Sequence, residues 1–142
     1  MRLAVQRLSE AARLPAPAYD HDAALDLCAA EQAILAPGQR ASVGTGLALE
    51  IAPGHAGLVL PRSGLAAGHG IALVNSPGLI DCGYRGEVRV LLLNTDPEQA
   101  FTVDSGDRIA QLLLVELPSV EVIEALALAG SDRGTRGFGS SG

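Results

Sequence analysis

The sequence predicts an all-β domain of the sandwich or barrel type. Three observations lead to this prediction: short apolar runs recur along the chain, several of them alternate with polar residues, and turn-forming triplets with Pro or Gly separate them. Alternation brings every second side chain to one face of a strand, so each sheet has a face to bury. With 142 residues, 48% hydrophobic and 18% charged, the chain suits one folded domain and is unlike a disordered chain.

The strands are predicted from these runs in chain order. Residues 47–51 and 88–92 alternate in the way that is typical of a strand with one buried face. Further apolar runs predict strands at 58–60, 71–74, 109–117 and 120–126. Turns are predicted between the runs, at 52–54, 76–78 and 105–107.

Signals for a helix are confined to one place, so little helix is expected. Residues 63–67 have the pattern of a short helical turn. Gly68 and Gly70 are predicted to end it, because glycine is favoured where a helix stops.

One predicted strand is more apolar than a half-exposed sheet allows. After Gln111, residues 112–115 are apolar on both faces. A strand of this kind is covered on both sides. We therefore expect the core to cover one face and a second subunit to cover the other.

The C-terminal residues 129–142 differ in composition from residues 1–128, which are predicted to form the single β domain. The tail contains five glycines and three serines, a composition typical of a flexible segment. It also carries Arg133, Arg136 and Phe138. Cations and an aromatic ring on a flexible C-terminal arm suit closure over an anionic, aromatic ligand.

Charge and cysteine content exclude several classes of protein. The formal net charge is −6, which argues against a nucleic-acid-binding domain. Cys28 and Cys82, with three histidines, lack the spacing of a disulfide framework or a zinc site. The N-terminus lacks the apolar run of a signal peptide, and no stretch approaches the roughly 18 apolar residues of a membrane span. We expect a soluble, cytoplasmic protein with no membrane and no nucleic-acid partner.

Two motifs favour phosphate binding. Residues 61–66, Pro-Arg-Ser-Gly-Leu-Ala, offer a guanidinium, a hydroxyl and open main chain at the start of the predicted helix, which is the chemistry of an anion site. Residues 106–112, Gly-Asp-Arg-Ile-Ala-Gln-Leu, begin an apolar strand with a polar amide. That amide needs a hydrogen-bond partner, which is either structural or a ligand oxygen.

Two acids are candidates for further roles. Asp81 and Tyr84 lie in residues 75–87, which are predicted to form a hairpin with inward side chains. The acid is a candidate general base and the ring a candidate platform for a sugar, while ordinary Asx-turn chemistry is the alternative. Asp26, inside the apolar segment 24–30, is typical of a turn or strand-edge acid when it is taken alone.

Five segments described above carry candidate functional residues: 24–30, 61–66, 75–87, 106–112 and 133–142. In this order and spacing, they resemble the five motifs of the deoxyuridine triphosphate nucleotidohydrolases (dUTPases), over about Val5 to Gly142. The strings Pro-Arg-Ser-Gly-Leu-Ala, Gly-Leu-Ile-Asp-x-x-Tyr-Arg-Gly and Gly-Asp-Arg-Ile-Ala-Gln carry the resemblance. It implies a jelly-roll subunit in a homotrimer, with shared active sites that a neighbour's C-terminal arm closes. It also implies hydrolysis of dUTP to dUMP and pyrophosphate by Mg²⁺-assisted water attack at the α-phosphorus, which lowers dUTP and supplies dUMP for thymidylate synthesis.

The resemblance further implies a role for each motif residue. Asp81 matches the acid that orients and deprotonates the water, and Asp26 matches the acid that holds the Mg²⁺ shell through water. Ser63 matches a contact near the scissile bridge and Gln111 an α-phosphate donor. The other substrate-binding residues that it implies are Arg62, Gly64, Asn75, Gly78, Leu79, Ile80, Tyr84, Arg89, Arg133, Phe138 and Gly139.

Selection of uracil and deoxyribose is implied for the hairpin and the arm. Main-chain groups of residues 78–83, with Asn75 assisting, match the segment that contacts the uracil edge and excludes a thymine methyl. Tyr84 matches the ring under the deoxyribose, which leaves no room for a 2′-hydroxyl. Arg133 matches a cation on the outer phosphates, and Phe138 matches the ring that stacks on uracil.

Two residues depart from the family pattern, and two alternative functions stay open. Ala24 stands where the first motif commonly has glycine, and Arg136 stands where the arm usually has a second glycine before Phe. A deoxycytidine triphosphate deaminase shares the fold and phosphate site, but it uses a glutamate in the hairpin region. From another class, a catalytically silent trimer that binds nucleotide or protein as a regulator is the second alternative.

Overall fold

The computed structural model describes residues 2–138. In that range the chain forms ten short strands and one short helix. The elements in chain order are β1 (Ala4–Arg7), β2 (Leu25–Cys28), β3 (Ala33–Leu35), β4 (Arg40–Glu50), β5 (His55–Leu60), α1 (Ser63–His69), β6 (Ile71–Leu73), β7 (Gly78–Asp81), β8 (Glu87–Asn94), β9 (Phe101–Val103) and β10 (Arg108–Glu116).

The strands form two four-stranded sheets and one two-stranded ribbon. The strand orders are β1-β4-β8-β6 in the first sheet, β2-β10-β5-β7 in the second and β3-β9 in the ribbon. The strand pairs within these sheets are antiparallel. Neighbours in space are distant in sequence, as in a jelly roll built from Greek-key connections. The predicted all-β, jelly-roll-like fold with little helix is therefore confirmed.

The core lies under the alternating strands. In β8, Val88, Val90 and Leu92 are buried while Arg89 and Leu91 face outward, as the alternation predicts. The predicted strand at 47–51 is the second half of β4, an 11-residue strand. Its first half has no apolar alternation, and it is a strand because it pairs with β8 in the centre of the sheet.

The central strand of the second sheet is β10, which pairs with β2 on one side and β5 on the other. Ile109 and Leu112 are fully buried, while Leu113, Leu114 and Val115 are half-buried in the single chain. These half-buried side chains leave apolar surface for the second cover that the sequence predicts, and that cover stays a prediction.

The helix α1 continues past the glycine that was expected to stop it. Gly68 lies inside the helix, and Gly70 ends it with φ +63°, donating its N–H to the carbonyls of Ala66 and Leu65. Only the second glycine has the left-handed conformation of a C-cap, so the prediction for Gly68 is wrong. Within residues 2–138, no helix has the length and apolar character needed to cross a membrane.

The chain leaves the sheets after β10. The predicted strand at 120–126 is wrong, because in the described chain these residues pair with no strand. Their apolar side chains face solvent, with Val122 91% and Leu126 108% exposed. Alternation is a local property of sequence, whereas a strand requires a free edge to pair with.

Leu112→Ala is expected to lower the free energy of unfolding by about 2–5 kcal/mol, because the truncation leaves a cavity in a core that relaxes only in part. Urea denaturation at equal protein concentration measures the loss. The matched control is Leu14→Ala, a side chain that is 52% exposed, with an expected loss below about 1 kcal/mol. Equal losses for the two variants would contradict the position of β10 in the core.

Candidate active site

The candidate residues from the sequence lie around two separate clefts that share no lining residue. The first, which we name the cationic cleft, includes Asp22, Asp26, Arg62, Ser63, Gly64 and Gln111. The second, which we name the hairpin cleft, includes Asn75, Gly78, Leu79, Ile80, Asp81, Tyr84 and Arg89.

The cationic cleft is assembled by the register of β10. Gln111 lies opposite Asp26 of β2 on one side and opposite Leu60 of β5 on the other. Opposed residues in antiparallel strands have Cβ atoms about 4.5–5.5 Å apart, so two distant motifs meet there. A third motif, which begins at Pro61, lies at the same place because β5 ends at Leu60.

The acid of this cleft lies between two guanidinium groups. The Asp26 carboxylate, 17% exposed, contacts Arg62 Nε through Oδ1 at 3.2 Å and Arg108 Nη1 through Oδ2 at 3.1 Å. Arg62 Nη1 also donates to the main-chain carbonyl of Arg108 at 3.1 Å. The trio carries one net positive charge, and Asp22, which also lines the cleft, brings the sum of the four charged groups to zero. The two guanidinium groups nevertheless keep unengaged N–H donors, which suit an anionic ligand.

The other polar groups of the cationic cleft differ in how far they are already engaged. Gln111 Nε2 donates to the Pro61 carbonyl at 2.8 Å, so the amide has a structural partner, which was one of its two predicted uses. Ser63 and Gly64 are exposed at the start of α1, where no side chain caps the helix. A Cβ on Gly64 would meet nothing within 4 Å, so a ligand has room to approach the main chain there.

The hairpin cleft is built on β7, an edge strand of the second sheet. Gly78 and Ile80 are buried, whereas Leu79 and Asp81 face outward. On its other side β7 has no strand partner within residues 2–138, which leaves main-chain groups to contact a ligand.

The Tyr84 ring stands at the side of the hairpin cleft, 47% exposed. Its hydroxyl donates to the Glu87 carbonyl at 2.9 Å. A Cβ on Gly86 would lie 2.6 Å from Tyr84 Cζ, so the ring occupies the space that a side chain would fill. The ring therefore has a defined position before any ligand binds.

The two clefts do not meet within one chain. Along β5, Asp81 pairs with Ala56 and Gln111 pairs with Leu60, on opposite sides of the strand. Four residues along a strand span roughly 13 Å, and the two strands flanking β5 lie about 10 Å apart. Asp81 and the cationic cleft therefore face different regions of the surface.

Of the C-terminal segment, the described residues 129–138 line neither cleft. Arg133 donates from Nε to the Arg136 carbonyl and from Nη2 to the Gly137 carbonyl, both at 3.0 Å, so it closes a local turn. Phe138 is fully exposed. Gly139 lies outside the described residues. The grouping of Arg133 and Phe138 with the two clefts stays a prediction.

Arg108 borders the cationic cleft through its ion pair with Asp26, and the sequence analysis missed it. It lies within the quoted string Gly-Asp-Arg-Ile-Ala-Gln, but its partner Asp26 is 82 residues away in sequence. The ion pair depends on the pairing of β10 with β2, in which Arg108 is opposite Cys28.

Burial raises the pKa of the Cys28 thiol, so this cysteine offers no thiolate at neutral pH.

The residues of the cationic cleft fit a Mg²⁺ ion that is bound through water and has few direct protein ligands. Among residues 2–138, no three His, Cys, Asp or Glu side chains lie close enough to hold a metal by themselves. Mg²⁺ commonly keeps several waters and uses one or two carboxylates with substrate phosphates. Asp26, whose oxygens already contact arginines, fits a ligand that acts through water, with phosphates completing the shell.

Together, the fold and the two clefts define a class of protein. It is an all-β protein in which one cleft suits a phosphate chain and another offers main chain and an aromatic ring, the combination that nucleotide recognition requires.

Comparison with known proteins identifies the family within this class. The dUTPase family model matches residues 10–142. The chain is 52% identical to the deoxyuridine 5'-triphosphate nucleotidohydrolase of Mycobacterium marinum, over 99% of this chain and 94% of that protein. This chain belongs to the dUTPase family, so the resemblance found in the sequence is confirmed.

Solved structures agree with this assignment. A mutant dUTPase of Staphylococcus bacteriophage 80alpha with dUpNHpp has a TM-score of 0.91 and 28% identity, covering 99% of this chain and 98% of that one. A mutant dUTPase from phage phi11 of S. aureus, described with a structural Mg(II) ion, has a TM-score of 0.85 and 26% identity, covering 92% and 100%.

Arg108→Ala is expected to weaken the binding of inorganic pyrophosphate about tenfold or more, because it removes one of the two cations of the cationic cleft. Isothermal titration calorimetry measures the dissociation constant. Arg40→Ala removes an exposed arginine that does not line the cleft and serves as the control of equal charge. Equal effects of the two substitutions would contradict a specific role for Arg108.

Proposed function

We propose that this chain hydrolyses dUTP to dUMP and pyrophosphate by attack of water at the α-phosphorus. The observation that carries the proposal is the division of chemistry between two clefts in a member of the dUTPase family. One cleft has two arginines and an exposed hydroxyl, which suit the phosphates, and the other has an edge strand and a tyrosine ring, which suit the base and sugar.

The active site forms between subunits of a homotrimer in this proposal. Asp81 and Gln111 both have to reach the α-phosphorus, yet they flank β5 at positions four residues apart. A nucleotide in the hairpin cleft of one subunit therefore extends its phosphates into the cationic cleft of another. The exposed apolar side chains of residues 120–128 support the proposal, since they supply surface for a second copy.

The cationic cleft binds and orients the triphosphate. Arg62 and Arg108 attract its negative charge, while Ser63 and the main chain of Gly64 contact oxygens near the scissile bridge. Gln111 has a second amide N–H that is available to an α-phosphate oxygen, because only one is needed for the Pro61 carbonyl.

Asp26 would hold Mg²⁺ through a water molecule, and the triphosphate would supply further ligands. When bound, the ion would supply positive charge that stabilises the pyrophosphate leaving group. Arg62 and Arg108 keep the Asp26 carboxylate oriented toward that position, since each oxygen contacts one guanidinium.

Asp81 is the general base. Its carboxylate is exposed at the end of β7, so a water molecule has access to it. The carboxylate orients this water in line with the leaving group and accepts its proton as the new P–O bond forms.

Selection of the nucleotide rests on rigid groups. Main-chain groups of residues 78–83 contact the uracil edge with help from Asn75, and a main chain cannot move aside for a thymine methyl. Tyr84 lies under the deoxyribose. From the arm of a neighbouring subunit, Arg133 contacts the outer phosphates, and Phe138, followed by Gly139, stacks on the base.

The test of the function is a panel of nucleotides. The protein is incubated with Mg²⁺ and each of dUTP, dTTP, dCTP and UTP, and both pyrophosphate and ammonia are measured. Pyrophosphate from dUTP alone is the expected result. Ammonia from dCTP would indicate the deaminase instead, and tight binding of dUTP without either product would indicate a silent regulator.

Asp81→Asn is expected to retain nucleotide binding and to lower kcat by about 100-fold or more, because the amide cannot accept the proton of the attacking water. Steady-state rates and titration with a non-hydrolysable dUTP analogue separate the two effects. Asp104→Asn, at an exposed acid outside both clefts, is the matched control. Near-normal turnover by Asp81→Asn would refute the role of Asp81 as base.

Phe138→Ala is expected to weaken analogue binding through the loss of a stacking contact, an effect of roughly 1–3 kcal/mol. The dissociation constant is measured with the same analogue. Phe101→Leu, in the ribbon strand β9, is a control for the loss of a ring outside the arm. Unchanged affinity in Phe138→Ala would show that the arm does not stack on the base.

A further inference from the structure

An ionic cluster lies beside the hairpin cleft, on β4 and β8. We name it the Glu31–Arg89–Glu87 cluster. Arg89 Nη2 contacts Glu31 Oε1 at 2.6 Å and Nη1 contacts Glu87 Oε2 at 2.7 Å. Arg89 Nε also donates to Ser42 Oγ at 3.0 Å, so each guanidinium nitrogen has an acceptor within the protein.

The cluster lies directly on the main chain of β4. Gly44 donates its N–H to Glu31 at 2.6 Å, and Gly46 donates its N–H to Glu87 at 2.9 Å. A Cβ on Gly44 would lie 2.5 Å from Glu87 Oε1 and 2.8 Å from Arg89 Nη1. A side chain at position 44 would therefore displace the ends of these charged side chains, which occupy the space that the glycine leaves open.

The cluster stays charged at neutral pH. The Gly44 N–H and the Arg89 guanidinium lower the pKa of Glu31, and the hydrogen bonds to Glu87 and Glu31 raise the pKa of Arg89. The side chains are partly exposed, at 40% for Arg89 and 47% for Glu31. Single ion pairs with this exposure contribute little to stability, but Arg89 joins both carboxylates in one network, which holds the three side chains in a single arrangement.

The cluster is joined to the Tyr84 ring by one residue. Glu87 binds Arg89 and the Gly46 N–H through its carboxylate, while its main-chain carbonyl accepts the hydroxyl of Tyr84. The carbonyl belongs to β8 and is held by the pairing of Glu87 with Ala48 of β4, and the two contacts of the Glu87 side chain restrain the same residue further.

We propose that the Glu31–Arg89–Glu87 cluster positions the Tyr84 ring and thereby sets the discrimination between deoxyribose and ribose. The proposal rests on the proposed function. A ring that excludes a 2′-hydroxyl has to keep its position, and Glu87 joins the cluster to the carbonyl that holds the hydroxyl of the ring. Arg89 then acts as a positioning residue, and the direct nucleotide contact expected from the family resemblance is the competing role.

Glu31 distinguishes these two roles because it does not line the hairpin cleft. Glu31→Ala is expected to raise the ratio of kcat/KM for UTP to that for dUTP by roughly fivefold or more, mainly through KM. Glu31→Gln, which keeps the hydrogen bonds, should restore most of the discrimination. Glu98→Ala, at an exposed acid elsewhere, is the matched control. An unchanged ratio in active, folded Glu31→Ala would overturn the proposal.

A double-mutant cycle tests whether the effect passes through the ring's anchor. Tyr84→Phe removes the hydroxyl that binds the Glu87 carbonyl. If the cluster acts through this bond, adding Glu31→Ala to Tyr84→Phe produces little further change in the UTP to dUTP ratio. Independent, multiplicative effects of the two substitutions would overturn it.

A measurement without turnover keeps the proposal separate from the proposed function. The chain has no tryptophan and two tyrosines, Tyr19 and Tyr84, so Tyr19→Phe leaves Tyr84 as the single fluorophore. Time-resolved fluorescence anisotropy is expected to show faster local motion of the ring in Glu31→Ala than in its Tyr19→Phe parent. Unaltered ring motion overturns the positioning role, whereas a parent protein that does not hydrolyse dUTP overturns the function on which the specificity depends.

If Glu31→Ala fails to fold, Gly86→Ala provides the second variant. Its Cβ would overlap the Tyr84 ring and displace it without changing the charge of the cluster. The same rise in the UTP to dUTP ratio is expected. A Gly86→Ala protein with native discrimination would show that the position of the ring does not set it.

Discussion

The structure of the site depends on the pairing of β5, which lies between β10 and β7 in the second sheet. One edge of β5 fixes Gln111 in the cationic cleft, and the other fixes Asp81 in the hairpin cleft. A slip of one residue on either side would turn the facing side chains to the opposite surface of the sheet. The same pairing places Asp81 and the two arginines in different regions of one chain. In the proposed function, these groups therefore act on one substrate only when copies of the chain assemble.

The fold was predictable wherever burial repeats along the sequence. Alternation at 88–92 identifies β8 because its two faces differ in environment. The first half of β4 escaped this reasoning, since Gly44 is there to leave space for side chains from β8 and for Glu31. The segment 120–126 shows the reverse error: it has the alternation of a strand, but the described chain offers it no partner. The periodicity of apolar residues shows which face of a strand is apolar, whereas pairing depends on which strand of the fold lies alongside it.

The motifs of the candidate site were predictable from the sequence, but their arrangement in space was predictable only in part. The register of β10 brings Gln111 and Asp26 together, as the motif resemblance implies. Arg108 escaped because its ion pair with Asp26 depends on strand register, which no local pattern reveals. The hairpin with inward side chains that the sequence predicts at 75–87 is wrong, because β7 pairs with β5 while β8 pairs with β4 and β6 in the other sheet, and Asp81 faces outward. Local chemistry can thus be inferred from short motifs, whereas the distance between motifs follows from the strand order.

The chain achieves anion attraction with a formal net charge of −6 and without a single lysine. Its field as a whole repels a polyphosphate, so attraction must come from groups at short range, where a Debye length of roughly 8 Å leaves local charges effective. Arginine suits this requirement because its planar fork binds several acceptors at once. Arg62 and Arg108 share one carboxylate and keep donors for a ligand, whereas four of the five N–H groups of Arg89 are engaged with Glu31, Glu87 and Ser42. The proposed division between substrate-binding arginines and a positioning arginine follows this difference in unengaged donors.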